Sequence, residues 1–306
     1  MSSISFSDYY TNMDLKEVYG VYGNPHRMFI QAMLTRGIID SCEIKELFQV
    51  IMNRCGVKVP EAKETRLAYK EFYSAINSKI REKCGLRLVK CLDEEVLSKR
   101  SFMALVNITD RSKDSNKLTI KGQVNFLPHE MEYLRLLVDN IMEDQLHELR
   151  ETKALSLRNK VVKSDQKIQT LDEAQIILQK FQDCKWLTTC KETGAILLST
   201  RFIIEMEPFL RENYPDLPMC SSCQKIVIRP IECETDRCSG VFHYHCSYKI
   251  NKVDKVVKYD KVNCNLCHSE LPDRKEVYAN VRKNSSSNRT RAGQKRKRME
   301  SDSESD

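Results

Sequence analysis

The sequence is short of several things, and each shortage excludes a class of protein. No apolar run among its 306 residues approaches the roughly 20 needed to cross a bilayer, so no membrane contact is expected. The opening "MSSISFSDYYTNMDL" has no basic patch followed by an apolar stretch and does not read as a secretory leader. A strong excess of one charge is also missing. The formal balance is +7, and its basic residues are spread along the chain, so it permits nucleic-acid binding without requiring it. Tryptophan is reduced to Trp186 alone. With 30% charged and 41% apolar residues, the remainder is ordinary for a soluble protein with room for two or three domains.

Cysteine, by contrast, is plentiful, with thirteen in all. Without a leader, that number argues for a reducing compartment, cytosolic or nuclear, where thiols at fixed spacing bind metal rather than each other. Seven of them fall between Cys220 and Cys267. The other six (Cys42, Cys55, Cys84, Cys91, Cys184 and Cys190) lie inside amphipathic segments and read as small buried apolar groups.

Hydrophobic periodicity divides the chain. Residues 1–24 are polar and expected to be flexible. In "NPHRMFIQAMLTRGIID", Met28, Phe29, Met33 and Leu34 share a helical face that Gly37 ends. Helices through "EIKELFQVIMNRCG" and "TRLAYKEFYSAINSKIREKCG" follow, then β-like runs "LRLVKCL" and "FMALVNI". Three helices and a hairpin are the order of a winged-helix domain, assigned to residues 25–123. The pattern returns over 124–216. There "LPHEMEYLRLLVDNIMEDQLHEL" is a long amphipathic helix, and Thr170 and Glu173 stand at capping-box positions. "KWLTTC" and "AILLST" flank a turn at Gly194, and a last helix breaks near Pro208. The expected fold is therefore mainly α with small β-hairpins, as tandem winged helices; a single larger helical domain is the alternative. Pro215 and Pro218 mark the passage to a cysteine-rich module over 217–275. The Ser-, Asn- and Lys/Arg-rich tail, 276–306, is expected to be disordered.

Within that module the candidate ligands run Cys220, Cys223, Cys233, Cys238, His243, Cys246, Cys264, Cys267. As pairs they read C-x2-C, C-x4-C, H-x2-C and C-x2-C. Each gap lets two donors turn onto one ion, and two pairs complete the tetrahedron that zinc prefers. Eight ligands make two closed sites, structural rather than hydrolytic. His243 is chosen over His245, because a residue adjacent to Cys246 reaches the same ion poorly. His245 and His268 then read as surface or supporting imidazoles. The module has few apolar residues, so metal binding must supply much of its folding free energy, on the order of 10 kcal/mol per site.

Four cysteines, one histidine and three cysteines is the order shared by variant RING domains and PHD fingers. Both resemblances imply cross-bracing: Cys220, Cys223, His243 and Cys246 around one zinc, and Cys233, Cys238, Cys264 and Cys267 around the other. A PHD finger usually has tryptophan two residues before its last pair, where this sequence has Val262. That counts against a histone reader, although Tyr244, Tyr248 and Tyr259 would suit a cation-binding cage. Preceded by two winged helices, by "KWLTTCKETGAILLSTR" running into "FIIEMEPFL", and by "HRMFIQAMLTRGIID", the zinc pattern resembles one family over about residues 25–270. That family is the first non-SMC element subunit of the SMC five-six complex.

The resemblance implies a RING-type ubiquitin ligase subunit of a nuclear, chromosome-associated assembly acting in DNA repair and recombination. Its partners would be a MAGE-type subunit, a kleisin and a ubiquitin-conjugating enzyme. No residue would be catalytic in the strict sense, because a RING positions a charged enzyme rather than attacking anything itself. Ordinary RINGs touch that enzyme through an apolar residue in the first knuckle and a proline in the last. Here those places hold Ser221 and Ser222, then Asn265 and Leu266, and His268 replaces the usual basic residue. Ile226, Ile228, Leu266 and His268 are the contact candidates that remain, and activity is expected to need the partner subunits. A scaffold whose module only bridges the MAGE and kleisin subunits is the alternative.

"KALSLRNKVVKSDQKIQ" and "KVDKVVKYDK" read as solvated faces or linkers. Any DNA contact there would be non-specific and salt-sensitive. Lys295, Arg296, Lys297 and Arg298, ahead of the acidic serine run with Ser301 and Ser303, read as a nuclear-import signal.

Overall fold

Helix α2 (Asn24–Arg36) begins with a proline in its first turn and buries Phe29 and Met33, one turn apart. It stops at Gly37, whose φ of 73° suits glycine and whose N–H donates to the Met33 carbonyl. After the short strand β1 (Ile38–Asp40), the Asp40 carboxylate accepts the Cys42 N–H and caps α3 (Ser41–Arg54). Helix α4 (Thr65–Cys84) buries Ala68, Phe72, Ile76 and Ile80, a strict four-residue stripe, and ends at Gly85 in the left-handed region. Strands β2 (Leu86–Leu92) and β3 (Ser101–Asn107) pair antiparallel, and β1 adds to the other edge of β3, giving the order β1-β3-β2.

This computed structural model describes residues 15–61, 64–94, 100–108, 126–162, 166–253 and 256–274, with Glu276 and Ala279; of 250–253 and 256–259 it describes the backbone alone. One boundary and one buried position differ from the sequence reading. Residues 15–20 form helix α1, and Leu15 and Tyr19 are buried in the first core. They stand one turn apart, so the ordered unit starts no later than Leu15 rather than at residue 25. Leu34, expected on the buried face of α2, is exposed.

The second unit repeats the plan. Helix α5 (Pro128–Met142) buries Tyr133, Leu134, Leu137, Val138 and Ile141. It ends seven residues earlier than the amphipathic pattern suggested, because Leu149 leaves the helix to bridge Ile196. The basic stretch beyond it is not a solvated linker throughout. Helix α6 (Glu151–Ser156) and a 3-10 turn (Leu157–Lys160) pack Ala154 and Leu157 into the core, and Val161 joins them. Helix α7 (Leu171–Asp183) starts where Thr170 accepts the Glu173 N–H. Strands β4 (Leu187–Thr189) and β5 (Ile196–Leu198) enclose Gly194, whose φ is 68°. Helices α8 (Thr200–Glu205) and α9 (Glu207–Asn213) are separated at Met206, with Pro208 opening the second. Trp186 lies in this core, edge-on to Phe202 at 5.8 Å, with the Arg201 guanidinium 4.9 Å from its ring.

The two units touch through α8, which packs on β2 and β3. Arg201 fills the space over Gly37, where an added Cβ would lie 2.4 Å from the guanidinium carbon. The fold is mostly helical with small two- and three-stranded sheets. Of the six cysteines outside the last module only Cys91 is buried; Cys42 and Cys84 are exposed, and Cys55, Cys184 and Cys190 are intermediate. They sit near helix ends and edges, where an amphipathic pattern says least about depth.

Candidate metal centres

Past α9 the chain makes a compact module with two short ladders: β6 (Ile231–Glu232) with β7 (Val241–Phe242), and β8 (Tyr248–Val253) with β9 (Val256–Lys261). The two C-x2-C segments have the same backbone. Cys220 N–H donates to Lys225 O and Gln224 N–H to Cys220 O; likewise Cys264 N–H donates to Ser269 O and His268 N–H to Cys264 O. Each is closed by a bridge, Met219 with Ile226 and Asn263 with Glu270. Gln224 and His268 take φ of 57° and 63°, left-handed positions that turn the second sulfur back over the first. Asn265 donates to Ser221 O at 2.9 Å and ties the knuckles together.

Two tetrads result. Cys220, Cys223, His243 and Cys246 form one, and Cys233, Cys238, Cys264 and Cys267 the other. In each, the four donor atoms lie within 4.8 Å of one another. The sets interleave along the chain. Zinc–sulfur bonds of about 2.3 Å give a tetrahedral edge of roughly 3.8 Å. Cys223 Sγ lies 3.3 Å and Cys246 Sγ 4.0 Å from His243 Nδ1, while Cys233–Cys267 and Cys238–Cys264 sulfurs lie 3.4 and 3.6 Å apart. The donor chemistry and spacing therefore fit a tetrahedral ion in each tetrad.

The surroundings pull one thiol of each tetrad down and push others up. His243 directs Nε2 to the Ile226 carbonyl at 3.0 Å, which fixes the tautomer that leaves Nδ1 free for an ion. The hydrogen bond from Cys246 pulls the Cys220 thiol down to about 2, against burial, and the same contact pushes Cys246 upward. Two such sulfurs share one proton, which a divalent cation would displace. In the second tetrad Cys267 is lowered to about 5, first by the Ser269 side chain, then by the Ser269 backbone and Thr235. The Thr235 hydroxyl stands 3.5 Å from Cys233 Sγ and 3.6 Å from Cys267 Sγ. Gly240 is forced by crowding: a Cβ there would lie 2.8 Å from Cys264 Sγ. Nothing in the spacing of ligands pointed to Thr235, Ser269 or Gly240.

His245 is buried and outside both tetrads. It stacks on His243 at 4.8 Å and faces the Asp93 carbonyl at 3.0 Å. Leu266 is 55% exposed and His268 is exposed. Ile226 and Ile228, expected to offer an apolar contact to a conjugating enzyme, are instead 4% and 3% exposed within the core of the second unit. Val227, between them, joins the core of the cysteine-rich module. An extended segment lying between two cores shows alternate residues to each, and none of the three is left for a partner. Among the cage candidates, Tyr244 is covered by the Arg274 guanidinium at 4.9 Å and Tyr248 donates to Asp273. Lys295, Arg296, Lys297 and Arg298 lie outside the described residues.

Residues 26–206 match the protein family described as Nse1 non-SMC component of SMC5-6 complex. The chain is also similar to non-structural maintenance of chromosomes element 1 homologs. It is 30% identical to that of Rattus norvegicus over 231 residues, 75% of this chain and 79% of the relative. It is 29% identical to that of Mus musculus over 265 residues, 85% and 88% of the two. Among solved structures, a chain of an Nse1-Nse3-Nse4 complex superposes with a TM-score of 0.61 at 22% identity, covering 83% of this chain and 98% of that one, a likeness of fold.

Proposed function

The chain belongs to the family of Nse1 non-SMC components of the SMC5-6 complex, and on that premise we propose that it is the RING-type ubiquitin ligase subunit of that chromosome-maintenance assembly. Two zinc ions fill the tetrads, zinc 1 on Cys220, Cys223, His243 and Cys246 and zinc 2 on Cys233, Cys238, Cys264 and Cys267. The observation that carries this reading is the interleaving of the two donor sets, the cross-brace of RING-like modules. The ions supply structure: each joins segments distant in the chain and leaves no open coordination position for water.

The preceding units act as tandem winged helices. In support, the first has the order helix, strand, helix, helix, strand, strand with the sheet β1-β3-β2, and in the second Leu149, β5 and β4 adjoin in the same order. They bind a MAGE-type subunit, joined by a kleisin; the similar solved chain is itself part of an Nse1-Nse3-Nse4 complex, which supports association with two further subunits. The protein works in the nucleus on chromosomes, in DNA repair and recombination. Its chemistry is positioning: the module holds a ubiquitin-charged conjugating enzyme so that the thioester meets an incoming amine. Leu266 and His268 are the contact candidates the fold leaves exposed.

Reconstituted discharge of a ubiquitin-charged conjugating enzyme tests this reading. Acceleration is expected in the presence of the MAGE and kleisin subunits, and Leu266→Ala should reduce it several-fold. The burial of Ile226 and Ile228 favours a second reading, a scaffold that only bridges its partners. No acceleration with or without those subunits would select it.

A further inference from the structure

The end of β2 reaches out of the first unit and into the cysteine-rich module. Glu94, only 7% exposed, accepts the backbone N–H of Ile228 at 2.7 Å and of Arg229 at 3.1 Å through one carboxylate oxygen. Arg229 is buried too, and its guanidinium pairs with Glu148 of the second unit at 2.7 Å. Beside it, the Asp93 carbonyl meets His245, and Thr200 of α8 reaches the Asp93 carboxylate at 3.4 Å. Three units therefore meet at one buried carboxylate, Glu94, one largely covered carboxylate, Glu148, and one buried guanidinium. A carboxylate in such a place is costly unless every partner is present, so it specifies geometry more than it adds stability.

We propose that Glu94 is a positioning residue that sets the orientation of the metal-binding module on the two helical units, with Arg229 and Glu148 completing the clasp. The module is then a fixed arm of the platform rather than a tethered finger. This rests on the ligase reading for its consequence: a conjugating enzyme docked on the module would be presented at one angle to whatever the helical units hold. A residue of the first unit, 134 positions before Ile228, would govern that angle while touching neither ion nor enzyme.

The test uses the full chain with both zinc ions bound. In Glu94→Ala, elemental analysis should still return two equivalents of zinc, while amide hydrogen exchange at Ile228 and Arg229 accelerates about ten-fold or more. Glu94→Gln keeps an acceptor without the charge and should show the same change at smaller amplitude, which serves if the alanine variant does not accumulate. In the complex with its partner subunits, Glu94→Ala should lower ubiquitin discharge several-fold while the affinity for the conjugating enzyme stays constant. Unchanged exchange at both amides in either variant would overturn the clasp, and so would loss of zinc in step with the exchange change, because Glu94 would then be folding the module rather than orienting it. If the wild-type complex discharges no ubiquitin, the ligase reading fails, and the exchange and zinc measurements still decide the clasp.

Discussion

The geometry of the second tetrad depends on one residue that is no part of it. Gly240 packs its α-carbon under Cys264, and a methyl group there would lie 2.8 Å from the sulfur, 3.1 Å from the Phe242 ring and 3.4 Å from the Cys233 β-carbon. All three neighbours are buried, so the strain has nowhere to relax except into the ligand positions. Overpacking of this kind costs about 1–3 kcal/mol. With zinc in both tetrads, as proposed, Gly240→Ala is expected to release one ion to a competing chelator about ten-fold faster or more, leaving the other at its wild-type rate. Chromophoric chelator kinetics resolve the two equivalents, and two wild-type rates would contradict the crowding argument. His243 and His245 show the complementary lesson. Both are buried and they stack, yet Nδ1 of one faces three sulfurs while Nδ1 of the other faces a carbonyl. The H-x2-C step places His243 a 3-10 turn before Cys246 and within the tetrad, while His245 lies outside it.

At the scale of elements, the junction of α1 and α2 has a built-in acid sensitivity. His26 is 1% exposed and stacks on Phe72 at 4.2 Å. Its Nδ1 accepts the Gly23 N–H and its Nε2–H donates to the Tyr19 carbonyl, an arrangement only the neutral ring satisfies. Burial lowers its pKa, against the hydrogen bond to Tyr19. The unfolded ring titrates near about 6.5 and the folded one below it. The junction is thus fully stable above that value and loses stability as pH falls toward the folded pKa. The protection factor of the Gly23 amide, corrected for intrinsic exchange, should fall between pH 7 and 5 in the wild type and change less in His26→Gln; parallel profiles would remove His26 as the cause. Helices with four-residue stripes, α4 and α5 above all, were legible in the sequence because one face carries nearly all the burial. What escaped was short or disguised. Strand β1 has three residues, too few for an alternation. Helix α6 hid in a lysine-rich stretch, although Ala154, Leu157 and Val161 keep helical spacing. The first core's reach to Leu15 was missed because two apolar residues in a polar segment make no pattern by themselves.

For the whole molecule, the consequential finding is that the boundary drawn at the prolines does not separate two independent bodies. Ile226 and Ile228 complete the core of the second unit, with Leu217 and Met219 against it, while Val227 faces the metal-binding module. The sequence offers Ile226 and Ile228 as an apolar contact because the positions ordinary RINGs use hold Ser221, Ser222, Asn265 and Leu266. A continuous apolar triplet in an extended segment instead marks burial on both faces. The two tetrads and the helical units therefore share continuous packing, and His243 links them directly through the Ile226 carbonyl. A chain ending at Asp216 should be destabilised even though every helix of the second unit is retained. Two fully buried isoleucines are worth about 1.5–3 kcal/mol each, which for a unit of this size lowers the melting temperature on the order of 10 °C. Calorimetry of the shortened and full chains measures that difference. Dye binding should report the uncovered apolar groove, and Ile226→Ala in the full chain should give part of the loss without removing a ligand. Equal melting temperatures would mean the module merely rests on the platform, and the fixed orientation attributed to Glu94 would lose its apolar half.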